Sequence, residues 1–175
     1  MDLIPPGPDF DELFRSYRFT AWRLETRTSY GVAEEDGPYQ EWLAGRDPGI
    51  AWFRPWLEMV RDQTGAGKRM ERVRLIDDPP SDYLRWELWG TPYNIAAGED
   101  IRYLDRGHPV VAELPEGDFW LFDGAVRADL HFDDDDRFLG VVLTEEPEAV
   151  LEAVRARDAA WHHALTFTGY TASRI

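Results

Sequence analysis

The sequence predicts an α/β fold: a single domain whose mixed β-sheet, with a parallel crossover and an antiparallel meander, is flanked by helices. Three observations predict it. The stretch DFWLFDGAVRADLHFDDDDRFLGVVL (118–143) reads as three strands joined by two tight reversals. An alternating run, Arg69–Ile76, is separated from a short apolar strand, Ile101–Leu104, by a helix-length segment, and a connection that long makes the two strands parallel. Helical periodicity before and after these strands supplies the covering layers.

Within the meander, Phe119–Phe122 is a short apolar run and Asp123-Gly124 is a strong hairpin-turn pair. Ala125–Phe132 returns with Val126, Ala128, Leu130 and Phe132 on one side and Arg127, Asp129 and His131 on the other. The four acids Asp133–Asp136 repel one another and form a solvated tip, after which Phe138–Leu143 is the third strand. The meander forms the floor or one side of the sheet.

Residues 1–8, with three prolines and a glycine, read as a flexible leader. Asp9 offers an N-cap with Glu12 three residues on, and Phe10, Leu13, Phe14 and Tyr17 give one apolar face to a helix over 9–17. Phe19–Thr26 alternates weakly as a strand that Tyr30–Val32 continues. Asp36-Gly37-Pro38 is a turn opening a short helix with Trp42 and Leu43 inward. A longer helix over about 50–64 carries Trp52, Phe53, Trp56, Met59 and Val60, and Gly65 and Gly67 stop it. In the strand that follows, Arg72 and Arg74 flank Val73, which places it at an edge or under a partner.

Ser81 caps a helix over 82–97 that ends at Gly98 and is kinked by Pro92. Leu84, Leu88 and Ile95 form one apolar stripe and Trp86, Trp89 and Tyr93 another. Two stripes mean a helix sandwiched between elements, or one that exposes a stripe to a partner. Alternation over Tyr83–Trp89 also permits a strand. After a loop over 105–117 and the meander, Pro147 opens a last helix (147–164) with Val150, Val154, Trp161 and Leu165 inward, and 169–175 is a loose tail. The folded domain spans 9–168.

Composition narrows the function classes. Hydrophobic residues make up 43% and aromatics 14%, too many core formers for a disordered chain. The absence of cysteine removes disulfides, thiolate metal sites and thiol nucleophiles. No apolar run approaches membrane-spanning length and no signal peptide opens the chain, so a cytoplasmic location is expected. A net charge of −15 repels phosphate backbones, so no direct nucleic-acid binding is expected, and it suits a basic protein partner. A single lysine, Lys68, and a single asparagine, Asn94, fit the codon usage of a GC-rich bacterial genome.

Few motifs carry chemistry. His131 with Asp133–Asp136 lacks the glycine and distal glutamate of a calcium loop, and no metal is expected there. His162 and His163 stand about 100° apart on a helix and cannot face one ligand together. No serine lies in a nucleophile elbow. GAGKR (65–69) lacks both the first glycine and the Ser/Thr of a phosphate loop, so it is a helix stop. No cofactor is implied. SDYLRWE (81–87) is the open case. In the plain reading Ser81 caps, Arg85 pairs with Asp82 or Asp78, and Tyr83 and Trp86 are core. In the functional one, Ser81, Asp82, Tyr83, Arg85 and Trp86 line a ligand pocket at the carboxyl end of a strand, where open α/β sheets bind ligands.

Two resemblances follow. PDFDELFRSYR, LETRTSY, SDYLRWEL, AGEDIRYL, DFWLFD and the ending at Trp161-His162-His163-Ala164 resemble an uncharacterised family of small proteins from actinobacterial-type genomes, often encoded beside helix-turn-helix regulators. Residues 69–165, through VRLI, AGEDIRYL, DFWLFDG and a closing helix with a tryptophan, resemble a half-domain of the phospholipase D fold. That family's HxKxxxxD motif uses a histidine nucleophile, a phosphate-binding lysine and an orienting aspartate. Laid on this chain, the aspartate falls on Asp123, the lysine on Asp118 and the histidine on Glu116. Two acids repel the phosphate that such a site must hold. The resemblance therefore implies a phospholipase D-like fold without catalytic residues. The expected role is a non-catalytic regulatory or interaction module for a helix-turn-helix regulator, sensing a small ligand or forming a homodimer. The alternatives are an enzyme acting on a small molecule or phosphodiester through another site, and a member of a toxin–antitoxin-like pair.

Overall fold

A computed structural model describes residues 2–174. Seven strands form one mixed sheet: β1 (Thr20–Glu25), β2 (Arg69–Ile76), β3 (Asp100–Asp105), β4 (Phe119–Phe122), β5 (Val126–Phe132), β6 (Phe138–Thr144) and β7 (Leu165–Thr166). Their order is β6-β5-β4-β1-β2-β3-β7. The meander β4–β6 makes one side of the sheet, and β2 and β3 are parallel, as the long connection requires. β1 is also parallel to β2 and joins the two halves through an antiparallel pairing with β4.

One face carries α1 (Pro8–Ser16), α3 (Arg54–Gly65) and α4 (Asp82–Ala97). There Phe14, Leu57, Val60, Met70, Trp120 and Phe122 pack together. The other face carries α5 (Pro147–His163), which lies on Trp22, Leu24, Val73, Leu75, Phe119 and Leu121. Its inward residues are Ala153, Ala156 and Ala160, whose small side chains bring the helix close to the sheet. Alternation along β1 and β2 decides which residues see which layer: 21, 23 and 25 face α3 and α4, whereas 20, 22 and 24 face α5.

Several sequence expectations hold in detail. The helix over 82–97 is present with those bounds, Ser81 Oγ accepts the Leu84 N–H, and Gly98 closes it at φ 106°. Left-handed backbone of that kind is what glycine supplies at a helix end. Other expectations are corrected. α1 starts at Pro8 with no side-chain cap, so the Asp9–Glu12 box does not form. Tyr30–Val32 does not extend β1, and Gly31 makes only an isolated bridge to Arg137. α2 (Ala33–Leu43) begins before Asp36-Gly37-Pro38 and contains it, because three acids in the first turn favour the helix start there. Leu43 is exposed. Trp52 and Phe53 precede α3 rather than lying in it.

The ends are also more ordered than the composition suggests. Ile4 exchanges two backbone hydrogen bonds with Val141 at 2.8 and 2.9 Å, which ties the leader to the outer edge of β6. Gly140 makes this approach possible: a Cβ there would collide with the Ile4 carbonyl. The tail is not loose over its described length. α6 (Phe167–Ala172) seats Tyr170 against Tyr103, their rings stacked at 4.8 Å. Leu165 is not on the inner face of α5 but exposed in β7.

Candidate functional site

Charge alternates with apolar residues along the two central parallel strands, and the register brings those charges side by side. Arg23 lies beside Arg72, and Glu25 beside Arg74, all on the α4 face. β2 is therefore not an edge strand. Arg72 and Arg74 are buried because acids from three other segments reach them: Glu25 of β1, Glu87 of α4 and Glu99 just after α4.

Glu25 is the hub. Arg72 Nη1 donates to Glu25 Oε1 at 2.6 Å and Arg74 Nε to Oε2 at 2.6 Å, with Arg23 Nη1 at 3.2 Å from Oε1. Burial pushes the Glu25 carboxyl up, but Arg72, Arg74 and Arg23 outweigh it and hold the group far below the usual carboxylate range. Arg72 also donates from Nε and Nη2 to Glu99 Oε1 at 3.0 and 2.7 Å, and Asn94 donates to Glu99 Oε2 at 2.7 Å. Arg74 Nη2 lies 3.2 Å from Oε1 of Glu87 on α4. Glu87 Oε2 and Arg74 Nη1 have no hydrogen-bond partner among the described residues. Burial pushes Glu87 up to about 8, against the pull of Arg74.

Asp118 and its neighbours continue the network at the entrance to β4. Asp118 is 2% exposed. Its Oδ1 accepts from the Thr26 N–H at 2.8 Å and the Thr26 hydroxyl at 2.7 Å. Its Oδ2 accepts from Tyr30 at 2.6 Å and Arg23 Nη2 at 3.2 Å. Glu116 is exposed and comes near the network only through its carbonyl, 3.1 Å from the Thr26 hydroxyl. Asp123 sits at the far end of β4, where its carboxylate accepts the backbone N–H groups of Arg18, Phe19 and Thr20 at 2.7–2.9 Å. Burial raises this group, but the three N–H donors and the nearby Lys68 charge together outweigh it, so its pKa is lowered. The three positions onto which the resemblance lays a nucleophile, a phosphate binder and an orienting acid thus do not converge on one point. One is a wet side chain, one is saturated and one anchors a turn.

The SDYLRWE residues divide in the same way. Ser81 caps α4, and Arg85 pairs with Asp82 at 3.2 Å on the surface. Tyr83 and Trp86 turn inward and both donate to Glu35 Oε2 of α2, at 2.7 and 3.3 Å. Burial raises the Glu35 carboxyl, the two hydrogen bonds opposing it. Around Trp86 the rings of Tyr39, Trp42, Trp52 and Trp89 close a packed aromatic cluster. The amino-terminal end of the second stripe, at Trp86, is therefore covered by α2 and the segment before α3, whereas Trp89 is half-buried and Tyr93 exposed. Of the aromatic residues in the amino-terminal part of the chain, Trp52 covers it, whereas Trp22 lies on the opposite face of the sheet and Phe10 and Trp56 belong to the α1–α3 cluster.

Chemically the network holds charge still. Among the described residues none of the four histidines enters it, and no serine or lysine hydrogen-bonds to its acids. Among the described residues no cluster of His, Asp or Glu has metal-binding geometry, the Asp133–Asp136 tip included. In that tip Asp133 Oδ1 accepts from the N–H groups of Asp135 and Arg137, and Asp136 pairs with Arg27. The charged network was not anticipated from the sequence. Its signal was there: Arg23/Glu25 and Arg72/Arg74 stand two apart, on one face of strands whose neighbouring positions Leu24 and Val73 are apolar.

Solved structures share this architecture. A phospholipase D family member, Nuc from Salmonella typhimurium, superposes with a TM-score of 0.54 at 9% identity, over 89% of this chain and 86% of that one. NucT from Helicobacter pylori superposes with a TM-score of 0.52 at 8% identity, over 90% and 88%. At these identities the likeness is one of fold, and the fold is phospholipase D-like. No curated protein matches the sequence. The pattern of one family runs through nearly all of the chain, over residues 8–172, and the protein belongs to that family, described as the domain of unknown function DUF6879.

Proposed function

We propose that this protein is a non-hydrolytic interaction module built on the phospholipase D fold, serving a basic, helix-turn-helix regulator. The observation that carries the reading is the saturated, buried Asp118. A phosphate-binding lysine at that place would need its donors free for substrate, whereas Asp118 presents an acceptor already bound by four donors. An incoming phosphodiester would meet like charge in a low-dielectric interior. The net charge of −15 supports a basic partner, because complementary fields steer association.

The test has two readouts on the purified protein. Incubated with bis(p-nitrophenyl) phosphate and with single-stranded DNA, it is expected to release no product above a buffer blank. Sedimentation with the regulator encoded beside it is expected to give a complex that loosens as salt rises. Turnover that Glu116→Gln abolishes would overturn the non-hydrolytic reading. Failure of the two proteins to co-sediment at low salt would overturn the partner.

A further inference from the structure

Tyr30 follows β1, and Tyr83 and Trp86 stand in the first turns of α4 after β2, so their cluster sits at the carboxyl ends of both strands. Open α/β sheets take ligands at that end. Here the chain fills the place with its own rings. Tyr39 and Trp42 of α2 each have a ring centroid 5.8 Å from that of Trp86, and Tyr39 lies 5.5 Å from Tyr83. Below them the Tyr30 hydroxyl reaches Asp118 at 2.6 Å, at the rim of the charged network.

The element that covers this crevice is weakly attached. No residue of α2 is buried, although Tyr83 and Trp86 beneath it are 8% and 2% exposed. No side chain caps its first turn, and Gly37 and Pro38 lie inside it. The backbone bonds at its two ends are local: Glu35 N–H donates to the Val32 carbonyl, Gly45 N–H to Trp42 and Arg46 N–H to Glu41. Among the described residues, Glu35 is the one side chain of α2 that hydrogen-bonds to the rest of the fold. Its Oε2 accepts from the Tyr83 hydroxyl at 2.7 Å and from the Trp86 indole N–H at 3.3 Å. All three groups meet water when α2 lifts, so opening leaves none of them buried and unpaired.

The flanks are held and jointed. Before α2, the Gly31 N–H donates to the Asp136 carbonyl at 2.8 Å and pins the chain. After it, Gly45 at φ 73° and Gly49 at φ 60° turn the chain in left-handed backbone that glycine adopts without strain. Beyond them Trp52 is stacked on Phe53 at 4.9 Å and stays with the body. A helix as short as α2 is marginal in water by itself, so it melts once it leaves α4. Few buried contacts around such an element mark a unit that opens at a lower free energy than the whole fold.

We propose that α2 is a lid, latched by Glu35 onto Tyr83 and Trp86, which opens about Gly45 and Gly49 and bares the crevice while the sheet stays folded. This property stands apart from the interaction role and needs no partner. Native-state hydrogen exchange of the whole protein, followed by mass spectrometry over a series of low urea concentrations, tests it. The α2 amides are expected to exchange through an opening whose urea dependence is above zero but well below that of β1 and β2, because only part of the surface is exposed. Val73→Ala, on the opposite face of the sheet, is expected to speed exchange in β1 and β2 tenfold or more and to leave α2 at the parent rate. Glu35→Ala is expected to speed α2 about tenfold, as loss of hydrogen bonds to a charged group does. If α2 shows the same urea dependence as β1 and β2, or follows them in Val73→Ala, it belongs to one cooperative unit and the lid is refuted. An α2 dependence of zero would also overturn it, since fraying within the helix does not bare Trp86. So would an unchanged α2 rate in Glu35→Ala.

Discussion

Glu87 shows how one side chain can be held against its own preference. Its carboxyl is enclosed beside Arg74, and the side chain is only 10% exposed. One oxygen is bound and the other is not. With a folded pKa of about 8 against an ordinary value of 4.5, the folded state holds a proton that the unfolded chain has already released. Stability from this group is therefore full below the unfolded pKa and lost as pH rises through about 8. Glu25 works in the opposite sense: its lowered pKa adds stability above the ordinary carboxylate range, which is lost as pH falls. Between pH 5 and 8 the Glu87 contribution declines while Glu25 stays constant. Glu87→Gln, which keeps the shape and removes the titration, is expected to flatten the fall in thermal midpoint across that window. Melting curves at several pH values check this, and an unchanged slope would contradict the assignment.

Among the elements, α4 has the most demanding surroundings, because it must satisfy a sheet on one side and aromatic rings on the other. Leu84 meets Ile76, Ile101 and Tyr103, while Trp86 stacks on Trp89 at 4.8 Å and on Trp52 at 5.4 Å. Trp86 is 2% exposed, whereas Trp89 is only partly covered and Tyr93 lies at the surface. The stripe is thus core at one end and surface at the other. Trp86→Ala is expected to cost about 3–5 kcal/mol, as for other large aromatic truncations in cores. Trp89→Ala is expected to cost less, about 1–2 kcal/mol, since it loses mainly a stacking contact. Denaturant titration gives both values, and equal losses would contradict the covering described for α2 and Trp52. Sedimentation mass should not change in either variant.

For the whole molecule, charge is divided between inside and outside. The buried arginines on β1 and β2 are consumed by buried acids, so they offer nothing to a phosphate backbone. What remains outside is strongly acidic, and no helix among the described residues is long and apolar enough to cross a membrane. Duplex DNA is therefore expected not to bind at physiological salt. Fluorescence anisotropy with a labelled duplex tests this, and saturation at micromolar protein would refute it. The same separation explains how a chain with a net charge of −15 can carry three arginines in its core.

The order of elements, the meander, the crossover from β2 to β3 and the bounds of α4 were legible in the sequence. These features depend on local periodicity, turn residues and connection length, which a linear chain displays directly. The tertiary structure alone decided how the charges are matched. Glu25, Arg72, Glu87, Glu99 and Asp118 are separated by long stretches of chain, and their pairing depends on β1 lying parallel to β2, which no local pattern announced. An arginine in a strand reads as an edge because an unpaired charge cannot be buried. Only the folded molecule shows that these arginines are paired, and the energetic rule that suggested an exposed strand is the same one that holds them inside.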